Sequence, residues 1–149
     1  MSEPIDVVRR MFKAVEDRDL EGLLSCYDEE VEINEAGSLP YGGVYRGQDG
    51  AREHSARFRG TWGAFQGPDQ RRLEPVFLEG EGGRVAVLFR HRALDPEGGR
   101  SFDQPEVSIY EVRDGRVVRS QMFHADSAAV IGFLEQAGRS ADAGESSQR

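Results

Sequence analysis

At 149 residues the chain has the size of one domain, because compact cores rarely subdivide below about 250 residues. Its apolar fraction of 38%, with 18 glycines besides, is that of a globular protein and excludes disorder of the whole chain. Counting 19 basic against 27 acidic residues gives a net charge of −8, which repels an extended phosphate backbone and argues against nucleic acid as a partner.

No apolar run approaches the roughly 20 residues a bilayer span needs, and Met1-Ser2-Glu3-Pro4 lacks a basic-then-apolar leader. The expectation is a cytoplasmic protein with no membrane partner. The single cysteine, Cys26, allows no internal disulfide and no cysteine-based metal cluster.

Pro4 is placed to start a helix in which Ile5, Val8, Phe12 and Val15 recur at helical spacing, flanked by Val7, Met11 and Ala14. Asp19 can cap a second, short helix carrying Leu20, Leu23, Leu24 and Tyr27. From Val31 the period changes to two, with Val31 and Ile33 on one face of a strand and Glu32 and Asn34 on the other. Glu35 then falls on the apolar face. Residues 36–47 read as a loop with a short extended piece around Val44 and Tyr45.

A third helix is predicted over Gln48–Gly60, with Ala51, His54, Ser55 and Phe58 on one face. Trp62 and Phe65 follow in a glycine-rich connection. Strands are predicted over Leu73–Leu78, Val85–Arg92, Glu106–Val112 and Val117–Phe123, separated by glycine-rich turns, the last of them Asp114-Gly115. A final helix starts at about Ser127 and carries Val130, Ile131, Phe133 and Leu134, and residues 138–149 read as a flexible polar tail. Helices first and strands after define an α+β class, a curved antiparallel sheet wrapped around N-terminal helices to form a cone with an internal cavity.

That order resembles the nuclear transport factor 2-like superfamily, in particular its SnoaL-like polyketide cyclase and ketosteroid isomerase branches. The matching text is Asp19-Leu-Glu-Gly-Leu-Leu with Tyr27-Asp-Glu-Glu-Val, then Tyr41-Gly-Gly-Val-Tyr-Arg-Gly, then Val112-Arg-Asp-Gly-Arg-Val-Val with Met122-Phe-His-Ala-Asp-Ser-Ala-Ala. The resemblance implies a single SnoaL-like cone domain over residues 1–137, a hydrophobic cavity, and pairing into a homodimer through the outer sheet face, where Val107 and Ile109 offer apolar side chains. The superfamily hosts isomerases, cyclases, dehydratases, epoxide hydrolases and non-enzymatic association domains, so the fold alone leaves function open.

Glu35 sits where the similar isomerases place the carboxylate that moves a proton between carbons beside a carbonyl. Its parity with Val31 and Ile33 says the same independently, and poor solvation on an apolar wall is expected to raise its pKa. The alternative is a strand-end glutamate turned to solvent or paired with an arginine. The resemblance puts the isomerase's enolate-stabilising tyrosine at Met11 and its protonated aspartate near Ser108, and neither keeps the donor. The epoxide hydrolase constellation would fall near Glu35, Arg90, Arg92 and His124, with an acidic partner missing.

Histidine and tyrosine stand in for those groups. Ser120, Met122 and His124 share one face of the last strand, and Glu106, Ser108 and Tyr110 one face of the strand before it. His124 and Tyr110 are candidate donors to a carbonyl oxygen, and His124 and Glu35 are expected to meet at the cavity mouth. His124 bonded to Asp126 or to a backbone carbonyl is the structural alternative. His54 occupies a position that lines the pocket in the similar isomerases, or else bridges core and solvent. His91 alternates with Arg90 and Arg92, and parity does not say which of them faces inward.

Tyr41, Tyr45, Trp62, Phe65 and Phe102 are candidates to cover the cavity mouth, although core filling suits Trp62 and Phe65 equally. Phe58 belongs with the wall. The histidines show no tight ligand spacing, so no metal and no other cofactor is expected. The function expected is a cofactor-independent cyclase or isomerase acting by general acid and base on an apolar, polyketide-like carbonyl compound. Glu35 is then the base, with His124 and either Tyr110 or His54 at the developing oxyanion and Met11, Tyr41, Phe58, Trp62, Ser108, Ser120, Met122 and Arg90 around the substrate. The alternatives are a non-catalytic binding or association module, and a dehydratase or epoxide hydrolase of secondary metabolism.

Overall fold

A computed structural model describes residues 3–147, with side chains described as far as Gly138. Helix α1 (Pro4–Glu16) starts on its proline and buries Val7, Val8, Met11, Phe12 and Ala14, while Val15 stays 44% exposed. Helix α2 (Leu20–Ser25) is capped by Asp19, whose carboxylate accepts from the Gly22 amide at 2.9 Å. Strand β1 (Tyr27–Glu35), strand β2 (Gly43–Arg46) and helix α3 (Gly47–Trp62) follow, and a 3₁₀ turn (Gly63–Phe65) closes this part of the chain. Strands β3 (Val76–Glu79), β4 (Arg84–Asp95), β5 (Arg100–Arg113) and β6 (Arg116–His124) then lead into helix α4 (Ser127–Ser147). The backbone of α4 therefore runs into the stretch read as a polar tail, whose side chains beyond Gly138 lie outside the described residues.

The six strands lie in the order β2-β1-β6-β5-β4-β3, an open sheet in an α+β domain. Every pairing is antiparallel except β1 with β6, which run parallel, so the sheet is mixed where an antiparallel one is expected from the hairpin signals. Hairpin turns identify antiparallel neighbours locally. Nothing local announces that the first long strand and the last will lie side by side.

Several boundaries differ from the sequence reading. Strand β1 begins at Tyr27, which pairs with Val117 across the sheet and so leaves the α2 stripe. Strand β3 begins at Val76 because Pro75 cannot donate to the ladder and Glu74 adopts a left-handed φ of 49°. Strands β4 and β5 are longer than expected, pairing from Arg84 with Glu111 to Asp95 with Arg100. In β5 the polar stretch Asp103-Gln104-Pro105 hides the apolar alternation that marks its inner half.

One core cluster joins α1 and α2 to the sheet through Val7, Met11, Phe12, Val31, Val87 and Tyr110. A second gathers Leu39, Tyr41, Trp62, Ala93, Val130 and Phe133 under α4. The polar site lies where the sheet passes between them. No helix among the described residues is long and apolar enough to cross a membrane.

Candidate active site

Alternation along β1 buries Val31, Ile33 and Glu35 together, and Glu35 is the last residue of the strand. On the neighbouring strands the register sets Phe89, Glu106 and His124 in one row across β4, β5 and β6. His91 lies two residues further along β4 on the same face, and α3 brings His54 down one turn beyond the buried Ala51. Four strands and a helix thus contribute one polar group each or more to the same place.

The groups form a single chain of contacts. Glu35 Oε2 lies 3.0 Å from His54 Nε2, and Glu35 Oε1 lies 3.0 Å from His124 Nε2. The other ring nitrogen of His124, Nδ1, stands 2.8 Å from Glu106 Oε1, a close ion-pair contact without the alignment of a hydrogen bond. His91 Nδ1 stands 3.8 Å from the same oxygen, and neither of its ring nitrogens has a hydrogen-bond partner.

These contacts fix the charges. Burial disfavours the His124 cation, but the two flanking carboxylates, Glu106 and Glu35, outweigh it and push its pKa to about 9. His124 is therefore an imidazolium at neutral pH, with a proton on each nitrogen. Burial works to raise Glu35 too, as its place on an apolar wall predicts, yet the contacts with His124 and His54 overcome it and hold the carboxyl below its usual range. The expectation of a raised pKa is overturned, because the cation that decides it arrives from a strand 89 residues away. Glu106 is raised, burial exceeding the help from His124. His91 is pushed down to about 3 by burial and by the His124 charge, so it is neutral.

A cavity of about 210 Å³ opens beside this network. Of the candidate residues, Glu35, His54, Tyr110, Met11, Phe58, Ser108, Met122 and Arg90 line it. His124 does not: its side chain is 1% exposed and sits behind Glu35 and Glu106, both of which do line the cavity. Ser120 is likewise fully buried away from it. Tyr41 and Trp62, expected over the mouth, are core, with the Trp62 indole donating to the Tyr41 hydroxyl at 3.0 Å. Their aromatic area is better buried under α4 than left at an opening.

On β4 it is His91 that is buried on the inner face, packing edge-on against Trp62 with ring centroids 4.4 Å apart, although Arg90 also reaches the cavity lining. The guanidinium groups of Arg90 and Arg92 both pair with Asp103, at 2.7 and 3.6 Å. Sequence reasoning missed Glu106 as a site residue, although its shared face with Ser108 and Tyr110 was a usable signal. His91, Glu106 and His124 also bring three ligand-type atoms within 4.8 Å of one another. The expectation of no metal rested on spacing along the chain, a test blind to donors assembled from three strands.

A cone-like α+β domain with a buried carboxylate beside an apolar cavity is the class that fold and site define, and the chain belongs to the SnoaL-like domain family, whose profile matches residues 8–120. An uncharacterized protein of Mycobacterium tuberculosis is 35% identical over 129 residues, covering 87% of this chain and 94% of the relative. Among solved structures, TerC, co-crystallized with polyporic acid, superposes with a TM-score of 0.75 at 25% identity, covering 90% of this chain and 99% of TerC. An NTF2-like protein of Burkholderia pseudomallei gives a TM-score of 0.74 at 26% identity, over 90% of this chain and 98% of its own.

Proposed function

We propose that the protein is a cofactor-independent enzyme of the cyclase or isomerase type, acting on a small, mostly apolar carbonyl compound held in the cavity. One observation carries this reading: the ionised carboxylate of Glu35 opens onto an apolar cavity while histidines hold both of its oxygens at 3.0 Å. Likeness to TerC, which was co-crystallized with polyporic acid, supports a small molecule as the ligand. At about 210 Å³ the cavity is smaller than the roughly 300–1,000 Å³ of drug-sized sites, which favours a compact ligand of one or two rings.

In this mechanism Glu35 takes a proton from the carbon beside the carbonyl, and the electron pair moves onto the carbonyl oxygen to give an enolate. Each carboxylate oxygen keeps a lone pair beyond the one its histidine occupies, so it can accept that proton. His91, neutral and with no partner on either ring nitrogen, donates to the enolate oxygen. The same proton returned to another carbon gives an isomer. Alternatively the enolate carbon attacks a second carbonyl of the same molecule, and the alkoxide so formed takes the proton from Glu35 as the ring closes. His124 touches no ligand in this scheme; it is a positioning residue that keeps Glu35 ionised. The oxyanion role expected for it passes to His91, which lines the cavity where His124 does not.

The test uses 2-tetralone, a compact aromatic ketone, in D₂O. Loss of its α-protons followed by NMR should run faster with the wild type than with buffer alone. Glu35→Gln should lower the enzyme's contribution by roughly 10²-fold or more with tetralone affinity little changed, as expected for removal of a general base. Binding without any acceleration by the wild type favours the binding-module reading instead.

We propose in addition that the outer sheet face pairs two copies of the chain. Two rows cross it, Val76-Leu88-Val107-Phe123 and Leu78-Ala86-Ile109-Gln121, and five of these residues, Val76, Leu78, Leu88, Ile109 and Phe123, are exposed large apolar side chains. Sedimentation at micromolar concentration should show a dimer, and Ile109→Glu should give a monomer. A wild type that sediments as a monomer contradicts the pairing.

A further inference from the structure

The mouth of the cavity is chemically unlike its floor. Arg18, Arg59 and Arg71 all line it, in a chain whose net charge is −8. Among the described residues, none of these three side chains makes an ion pair or hydrogen bond, whereas Arg90 beside them is engaged by Asp103. The acid at the same opening, Asp19, already caps α2 through the Gly22 amide. Arg71 differs from the other two in being half-buried, with an Nε that is fully covered and finds no acceptor in the protein. A buried guanidinium N–H without a partner is costly and points to an acceptor supplied from outside.

The backbone that carries Arg71 is held in place. Gln66 donates to the Arg92 carbonyl at 2.9 Å at one end of its loop, and Arg90 N donates to the Leu73 carbonyl at 2.8 Å at the other. Between them the Arg71 amide donates to the Gly67 carbonyl at 3.1 Å, and the Arg92 guanidinium reaches the Arg72 carbonyl at 3.3 Å. Arg72 is exposed, so the loop directs one arginine to solvent and one to the cavity. A guanidinium carried on a backbone held this way is a donor suited to an oxygen anion.

We propose that the ligand of this cavity carries an oxyanion, a carboxylate or an ionised hydroxyl, which seats on Arg71 at the mouth while its carbonyl points to Glu35. The proposal rests on the cavity being the ligand site, as in the function proposed above, and it adds the charge and orientation of the substrate. Glu35 and Glu106 at the floor repel an anion, and the arginines at the mouth attract it, so only one orientation of such a molecule is favoured. Arg18 and Arg59, both exposed, add to the attraction from further out.

A matched pair of two-ring probes tests this: naphthalene-2-sulfonate, whose sulfonate stands in for the oxyanion, and naphthalene-2-sulfonamide, the same ring system without charge. Titrations of the full chain should show the sulfonate bound more tightly than the neutral probe. Arg71→Gln should weaken the sulfonate by about tenfold or more and leave the neutral probe within about twofold, while Arg71→Lys should recover part of the loss. Raising the salt should weaken only the charged probe. The proposal is overturned if Arg71→Gln binds the sulfonate as the wild type does, or if both probes lose affinity equally. Glu35→Gln separates the two proposals: if it leaves tetralone exchange untouched while the probes still discriminate at Arg71, the catalytic reading fails and the anion site stands.

Discussion

His124 and His91 are the same residue type on neighbouring strands, with ring centroids 6.1 Å apart, yet they stand in opposite charge states. Two carboxylates within 3.0 Å make one a cation, and burial without a bonded partner keeps the other neutral. Folding stability should record the difference. For His124 the folded pKa of about 9 lies above the ordinary 6.5, so its contribution is complete below pH 6.5 and is lost as pH rises through 9. A shift of that size corresponds to on the order of 3 kcal/mol. For His91 the folded value of about 3 lies below 6.5, so the unfolded chain binds the proton first and stability falls as pH drops from 6.5 towards 3. Glu35, with its lowered pKa, adds to the acid loss, and Glu106, with its raised one, opposes it. Urea unfolding across pH 5 to 9.5 should therefore show greatest stability near pH 6.5, and His124→Gln should lack the decline between pH 6.5 and 9. A wild type equally stable at both ends of that alkaline window contradicts the assignment. The position of Glu35 was legible from parity with Val31 and Ile33, but its ionisation was not. Its sign depends on His124, and distance along the chain carries no information about charge.

At the scale of the element, the hairpin between β3 and β4 shows how backbone shape is written into particular residues. Gly82 and Gly83 both have positive φ, 66° and 75°, which L side chains adopt at a cost. A Cβ on Gly82 would meet open space, whereas one on Gly83 would lie 2.4 Å from the Val112 carbonyl oxygen. The Gly83 carbonyl in turn accepts from the Val112 amide at 2.9 Å, tying the turn to β5. Gly82→Ala should lose about 1–2 kcal/mol from the left-handed backbone alone, and Gly83→Ala distinctly more, because strand and turn must also separate. Urea midpoints compare the two, and equal losses would mean that the close approach to β5 contributes nothing. Glycine-rich turns were legible as turns, and the elements they separate were legible as strands. The outer end of β5 was not, because Asp103, Gln104 and Pro105 break the apolar alternation while still keeping the ladder.

At the scale of the molecule, the order of elements and the α+β class follow from periodicity, but the parallel contact of β1 with β6 does not, and it is that contact which assembles the site. It lays the end of β1 beside β6, so that Glu35 and His124 meet although 89 residues separate them. The same topology explains which candidates were misplaced. Tyr41 and Trp62 lie in a second core under α4, a helix whose packing cannot be read from the aromatic residues alone. What distinguishes the whole arrangement is one buried carboxylate kept ionised by a histidine cation at the floor of an apolar cavity. Carbon-detected NMR titration of the Glu35 carboxyl, in the wild type and in His124→Phe, tests this most directly. The wild type should titrate below the ordinary value of 4.5, and His124→Phe should titrate above the wild type, since burial then acts with less opposition. A wild-type midpoint at or above 4.5, or one that His124→Phe leaves in place, would contradict it.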